Sequence, residues 1–181
     1  MTDTRTFMSH EAVVGLIEGM ADLLEQTLER RGITAPAMIG IHTGGVWVAQ
    51  HLHQLLGLSE ALGTLDISFY RDDFTRIGMN PQVRPSSVPF EVEDRHIVLV
   101  DDVVQTGRTI RAALNEIFDF GRPASIMLVT LIARGGRELP IEPDVIGLEP
   151  PLAPTEHIRL NGPEPLSLEI SGAHRSRHAT D

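Results

Sequence analysis

Residues 97–109 read Ile-Val-Leu-Val-Asp-Asp-Val-Val-Gln-Thr-Gly-Arg-Thr, and they restrict the fold more than any other stretch of this chain. Four consecutive aliphatic residues, Ile97 to Val100, predict a strand covered on both faces, and therefore a sheet with helices on either side. Two carboxylates, Asp101 and Asp102, sit where that strand is expected to end. Thr106, Gly107 and Thr109 then mark a short loop, and a helical pattern begins behind it. The start of a helix carries unsatisfied N–H groups and the positive end of a dipole, so such a loop suits a phosphate. Carboxylates beside it can accept hydrogen bonds from a ribose diol or orient water around Mg2+. A plainer reading stays open at this point: Asp102 helps cap the helix, and Thr106-Gly107 is an ordinary turn.

The flanking patterns alternate between the two periods. Ser9 can cap a helix whose apolar positions Val13, Leu16, Ile17, Met20, Leu24 and Leu28 follow the helical repeat, with Gly32 as its stop. A strand is expected over residues 37–41, a turn over 42–45, a helix over 46–56 and a further strand over 65–70. Residues 71–89 show no period and contain Pro81, Pro85 and Pro89, which predicts a mobile functional loop. A helix over 108–120 with Gly121 as its stop, a strand over 125–133 and a short strand over 145–148 follow. The Pro-rich stretch 149–154 reads as a connector to weak strand signals near 158–160 and 166–170. Alternating strands and helices predict an α/β fold with a mostly parallel sheet, in one domain over residues 1–171 with a disordered tail at 172–181.

Residue usage excludes several chemistries. No cysteine occurs, so thiol catalysis, disulfides and thiolate metal sites are absent. All 15 basic residues are arginine, which removes Schiff-base chemistry and the phosphate-loop lysine of nucleotide triphosphatases. No GxGxxG follows any predicted strand. The net charge of −10 opposes non-specific attraction to nucleic acid. No run approaches the ~18 apolar residues of a membrane span, so the expectation is a cytoplasmic protein. His51 and His53 lack the spacing of a helical metal pair, Trp47 reads as core or subunit interface, and His174 and His178 fall in the tail. Asp72 and Asp73 read equally as solvated charges or as site or dimer contacts.

Residues 100–109, Val-Asp-Asp-Val-Val-Gln-Thr-Gly-Arg-Thr, resemble the phosphoribosyl-pyrophosphate (PRPP) signature of type I phosphoribosyltransferases. More narrowly, Leu-Asp-Ile-Ser-Phe-Tyr-Arg-Asp-Asp at 65–73, Thr-Ile-Arg-Ala-Ala-Leu at 109–114, Gly-Arg-Pro at 121–123 and Arg-Glu-Leu-Pro at 137–140 are similar to the family of bifunctional pyrimidine-operon regulators and uracil phosphoribosyltransferases. That resemblance covers about residues 7–170. It implies a type I phosphoribosyltransferase fold, a central mostly parallel sheet flanked by helices with a small C-terminal hood at 133–170. It implies that Thr106, Gly107, Arg108 and Thr109 hold the 5′-phosphate through backbone N–H groups, with Val103, Val104 and Gln105 in the same binding stretch. Asp101 and Asp102 would face the ribose hydroxyls and meet Mg2+ through water, the ion arriving with PRPP. Thr43, Gly44 and Gly45 belong to the implied pyrophosphate loop, Arg71 would reach pyrophosphate, and residues 133–139, with Arg134 and Arg137, would cover the base. The implied ligands are PRPP, uracil and UMP or UTP, and the implied assembly is a homodimer or tetramer.

The chain departs from the family's pattern at specific positions. Gly44 stands where the family usually has arginine, and Ala133-Arg134-Gly135-Gly136 replaces Asp-Arg-Gly-His. The family's RNA binders have lysine after the glycine matching Gly147, where this chain has Leu148, and their first helix is basic where this one carries Asp22, Glu25 and Glu29. RNA binding is therefore not expected. The intact signature favours an enzyme that makes UMP from uracil and PRPP while sensing pyrimidines. Gly44, Ala133 and Gly136 favour a non-catalytic nucleotide sensor on the same fold, and a phosphoribosyltransferase for another base is the third alternative.

Overall fold

The computed structural model describes residues 3–68 and 85–172. Its elements are β1 (Asp3–Met8), α1 (His10–Arg30), β2 (Ala37–Ile41), α2 (Gly44–Leu55), β3 (Gly63–Leu65), β4 (His96–Val104), α3 (Arg108–Phe120), β5 (Ser125–Ala133), β6 (Val145–Leu148), β7 (His157–Asn161) and β8 (Ser167–Gly172). Five strands form a parallel sheet in the order β3-β2-β4-β5-β6. The α/β expectation holds, and the all-aliphatic start of β4 lies at its centre, sealed on both faces.

Each face has its own core. Val98, Val100, Met127 and Val129 pack with the apolar stripe of α1 and with Val48, Ala49 and Leu52 of α2. Ile97, Leu99 and Leu128 pack against Ile110, Ala113 and Ile117 of α3. Alternate residues of one strand thus serve two cores, as the period of 2 requires. Helix α1 starts where Ser9 Oγ accepts a hydrogen bond from the Ala12 N–H at 3.4 Å. Glu11 in its first turn is held below the usual carboxylate range by its own backbone N–H and by the Ser9 hydroxyl. The helix ends before Gly32, whose φ of +68° suits glycine.

A second, three-stranded antiparallel sheet has the order β1-β8-β7. Its Ile158, Leu160, Leu168 and Ile170, with Leu166 beside them, join the core under α1 and α2. Two of its three strands, β7 and β8, were foreseen. Strand β1 was not: Thr4, Arg5 and Thr6 alternate no apolar face, and the strand forms because its backbone completes the edge of β8, with Arg5 reaching Glu156 at 3.2 Å. Residues 145–148, expected within the hood span, join the main sheet as β6.

Other boundaries also differ from expectation. Strand β4 runs through Asp101 and Asp102 to Val104, because the ladder to β5 continues as far as Val104–Ala133. Strand β3 covers 63–65 rather than 65–70; Asp66 instead turns the chain by accepting from the Ser68 N–H at 2.9 Å. Helix α2 begins at Gly44, not Val46, so the two glycines form its first turn rather than a free loop. The end of the aperiodic segment is tied down: Ser87 exchanges backbone hydrogen bonds with Thr64 at 2.7 and 2.8 Å. Its residues 71–84, with Arg71, Asp72 and Asp73, and the tail beyond 172 lie outside the described residues. His51 and His53 take backbone partners, the carbonyls of Trp47 and Glu60.

Close packing of α1 over β5 and β6 depends on Gly147. A methyl group there would lie 2.6 Å from the Leu131 carbonyl oxygen and 2.7 Å from Met20 Sδ. The sulfur can move, but the strand carbonyl cannot. Gly147→Ala is therefore expected to cost about 1–3 kcal/mol of stability, read as a lowered urea midpoint with unchanged slope.

Candidate functional site

The main sheet changes direction between β2 and β4: β3 lies on one side of this pair, β5 and β6 on the other. Chains leaving the two strands depart toward opposite faces, α2 into one core and α3 into the other. A crevice opens between them at the carboxyl ends of the strands, which is where open α/β sheets bind ligands. The sequence-predicted groups from 43–45 and from 101–109 flank this crevice.

On the β2 side, Thr43 is exposed while Gly44 and Gly45 are buried in the first turn of α2, which has no side-chain cap. The glycines are buried against β4. A Cβ on Gly45 would lie 2.7 Å from the Val100 carbonyl oxygen and 3.0 Å from Asp101 Cα. A Cβ on Gly44 would run into the Asp102 carboxylate, with Cγ at 2.6 Å. Both carboxylates therefore converge on the amino end of α2, where the helix dipole favours negative charge. They are not equivalent. Asp101 is only 2% exposed, and its Oδ1 accepts from the Asp102 N–H at 2.9 Å. Asp102 is half-buried, with Oδ1 accepting from the Val103 N–H at 3.0 Å. Of the pair, Asp102 is the one open to a ligand from solvent.

On the β4 side, Val103 and Val104 direct their side chains into the two cores and leave only backbone for binding. Gly107 adopts φ +90° and is the N-cap of α3, without a side-chain cap. That conformation suits glycine and turns the chain so that the helix starts open. Thr106 Oγ1 accepts from the Arg108 N–H at 3.1 Å, and the Arg108 guanidinium pairs with Glu138 at 2.6 Å. Thr109 is half-buried in the first turn.

The segment after β5 folds back over this loop. Arg134 N–H donates to Val104 at 3.0 Å, Glu138 N–H to Thr106 at 2.9 Å, and Arg137 Nη1 to the Gln105 carbonyl. Arg137 also pairs with Glu142 at 3.2 Å. Between the two segments lies a cleft of about 350 Å³, walled by Gln105, Arg134, Gly135 and Gly136 and covered by Pro150, Leu152 and Pro154. These last three went unforeseen, because a proline-rich connector carries no periodic signal of which side it presents. Arg134 is fixed by donation from Nη2 to the Glu156 carbonyl at 2.9 Å, and its Nε–H is buried without a partner. Among the described residues no group of three or more His, Asp or Glu side chains is arranged to hold a metal ion, and no helix is long and apolar enough to cross a membrane.

An open helix start behind a strand, an acidic pair and a cleft formed by a returning segment define a phosphoribosyltransferase architecture, and the chain belongs to that family: residues 11–161 match the phosphoribosyl transferase domain. Its curated relatives narrow this further. It is 59% identical over 155 residues to a bifunctional protein PyrR of Pseudomonas syringae pv. tomato, spanning 86% of this chain and 91% of that protein. A bifunctional protein PyrR of Nitrosococcus oceani is 60% identical over 157 residues, spanning 86% of this chain and 89% of that one. Solved structures share the fold: a Trypanosoma cruzi hypoxanthine phosphoribosyl transferase superposes with a TM-score of 0.64 at 21% identity, over 82% of this chain and 79% of that chain.

The two buried glycines give separable expectations. Gly45→Ala meets a strand carbonyl that cannot move and is expected to cost about 1–3 kcal/mol in chemical denaturation. Gly44→Ala meets the movable end of Asp102; it is expected to change stability by less than about 1 kcal/mol while lowering PRPP affinity in calorimetry at least about tenfold.

Proposed function

We propose that this chain transfers the phosphoribosyl group of PRPP to uracil, forming UMP and pyrophosphate, and that it also acts as a pyrimidine-responsive regulator of pyrimidine biosynthesis genes. The observation that carries this reading is the meeting, at one crevice, of the open α3 start, the Asp101–Asp102 pair on the α2 amino end, and a roofed cleft of base size. About 60% identity to proteins described as bifunctional supports the double role.

The chemistry follows from the charges. Loss of pyrophosphate leaves positive charge on the ribose ring and negative charge on the leaving group. Backbone N–H groups at the start of α3 beyond Arg108, whose own N–H is held by Thr106 Oγ1, hold the 5′-phosphate and anchor the ribose. Asp102, open to the crevice, stabilises the cationic ring and accepts from its hydroxyls, while buried Asp101 fixes the strand end behind it. Backbone donors at Thr43, Gly44 and Gly45, with the positive end of α2, face the leaving diphosphate, and Arg71 is assigned the same task. Among the described residues the carboxylate pair has no third donor beside it, which suits an Mg2+ ion that arrives on its substrate rather than in a protein cage. Bound there, the ion would neutralise diphosphate charge. The apolar cover from Pro150, Leu152 and Pro154 keeps water from competing with the base.

A non-catalytic sensor is the second reading, favoured by Gly44, which leaves the leaving group without the family's arginine. One assay separates them: radiolabelled uracil, PRPP and Mg2+ with the wild-type protein and with Asp101→Asn and Asp102→Asn. Expected is UMP formation, lowered about 100-fold or more in Asp102→Asn, equivalent to roughly 2.7 kcal/mol of barrier. UMP binding without turnover would establish the sensor, and near-wild-type turnover in both variants would remove the acidic pair from the mechanism.

Regulation is expected to act without a tight RNA complex. The exposed stripe of α1 carries Glu11, Glu18, Asp22, Glu25 and Glu29, on a chain of net charge −10. RNA contacts require clustered cations and give a salt slope of about −0.7 per phosphate for single strands. Filter binding of a pyrimidine-operon leader RNA at physiological salt is expected to show no specific complex, with or without UMP; nanomolar, UMP-enhanced binding would assign an attenuator role instead.

A further inference from the structure

We propose that Gln105 is a specificity-determining residue that reads the imide edge of an oxopyrimidine. This rests on the phosphoribosyl-transfer reading above and adds the group that recognises the base. Of the residues that line the cleft, only Gln105 and Arg134 have hydrogen-bonding side chains; the others are Gly135, Gly136, Pro150, Leu152 and Pro154. Among the described residues, side-chain hydrogen bonding to a base at this cleft comes from these two.

Their placement is fixed from behind. Gln105 is the first residue past β4, and its carbonyl accepts from Arg137 Nη1, while Arg134 N–H and Glu138 N–H close on Val104 and Thr106. With its main chain clamped to the returning segment, the Gln105 carboxamide lies over Gly136. A Cβ on Gly136 would stand 3.4 Å from Gln105 Nε2 and 3.7 Å from Cγ. Gly136 has φ +105°, a conformation that disfavours any side chain. A Cβ there would be in ordinary van der Waals contact with the carboxamide, so the two walls of the cleft meet at Gly136 and Gln105. The carboxamide remains exposed, with no partner among the hydrogen bonds of the described residues, and is free to meet a ligand.

A carboxamide offers one donor and one acceptor side by side. Uracil presents a matching pair, the O4 acceptor and the N3–H donor, and the proline-leucine roof suits the flat apolar faces of its ring. A binding group left unpaired against the wrong edge is what gives a polar site its selectivity. Replacing the carboxamide by a carboxylate keeps the acceptor and removes the donor. Such a group still accepts from N3–H but repels O4, so binding of the uracil edge weakens.

The test measures UMP and ribose 5-phosphate affinities by calorimetry for wild type, Gln105→Leu and Gln105→Glu, alongside thermal midpoints. Ribose 5-phosphate is the internal control, because it uses the phosphate loop and lacks the base. Wild type is expected to prefer UMP. In both variants the UMP affinity falls about tenfold or more with ribose 5-phosphate affinity and the thermal midpoint unchanged. A UMP preference over ribose 5-phosphate retained in both variants overturns the assignment and leaves phosphoribosyl transfer standing. Equal wild-type affinity for UMP and ribose 5-phosphate likewise overturns it, and absence of binding for both ligands overturns both readings.

Discussion

The contact between the first turn of α2 and the carboxyl end of β4 governs how this molecule is built around its crevice. Two hydrogens stand at Gly44 and Gly45 where any other residue would place carbon, and the Val100 carbonyl and the Asp102 carboxylate fill that space. A wider gap at Gly45 would pull α2 off β2 and β4, opening the core formed by Val48, Ala49 and Leu52. It would also separate two acidic side chains from the helix end that favours their charge. Packing and electrostatics thus impose the same requirement at one place, so the departure at Gly44 is a structural fit as much as a lost arginine.

The parts of this arrangement legible in the sequence are those set by short-range physics. Periods of 2 and 3.6 residues, a serine cap and glycine stops marked α1, α3, β2 and β5 closely, because burial of an apolar face and local hydrogen bonds decide such elements. Long-range pairing was not legible. β1 has no apolar alternation and exists by completing the edge of β8, and β4 outlasts its aliphatic run because β5 continues to pair with it. β3 stops at Leu65 although the pattern runs on, since Asp66 folds its carboxylate back onto the Ser68 N–H. The acidic pair and Gly107 were visible as chemistry. Their unequal exposure and the roof from residues 150–154 depend on tertiary contacts that no local spacing encodes.

The chain's arginines belong to the same balance. Arg5, Arg31, Arg95, Arg108 and Arg137 each hold a carboxylate partner, most of them at the surface, where such pairs add little stability. Their effect lies in geometry and in net field. Arg108 and Arg137 join the loop at 105–108 to the returning segment that forms the other wall of the cleft, so the two walls keep a fixed spacing. Guanidinium groups committed in this way have their charge offset by a carboxylate, and the exposed acids of α1 stand outside these pairs.

Selectivity and anchorage separate cleanly in this layout. In the proposed reading anchorage comes from backbone, the open start of α3 and the glycine turn of α2, each rooted in a different core. Neither depends on a side chain that could vary without rebuilding the sheet. Selectivity comes from the cleft, where the hood has given up polar side chains at Ala133 and Gly136 and the opposite wall contributes Gln105. Because Gln105 is exposed and lies just outside β4, its identity can change without disturbing either core. On that reading the grip on the phosphoribosyl group is fixed by the fold, and recognition of the base is left to a side chain that neither core constrains.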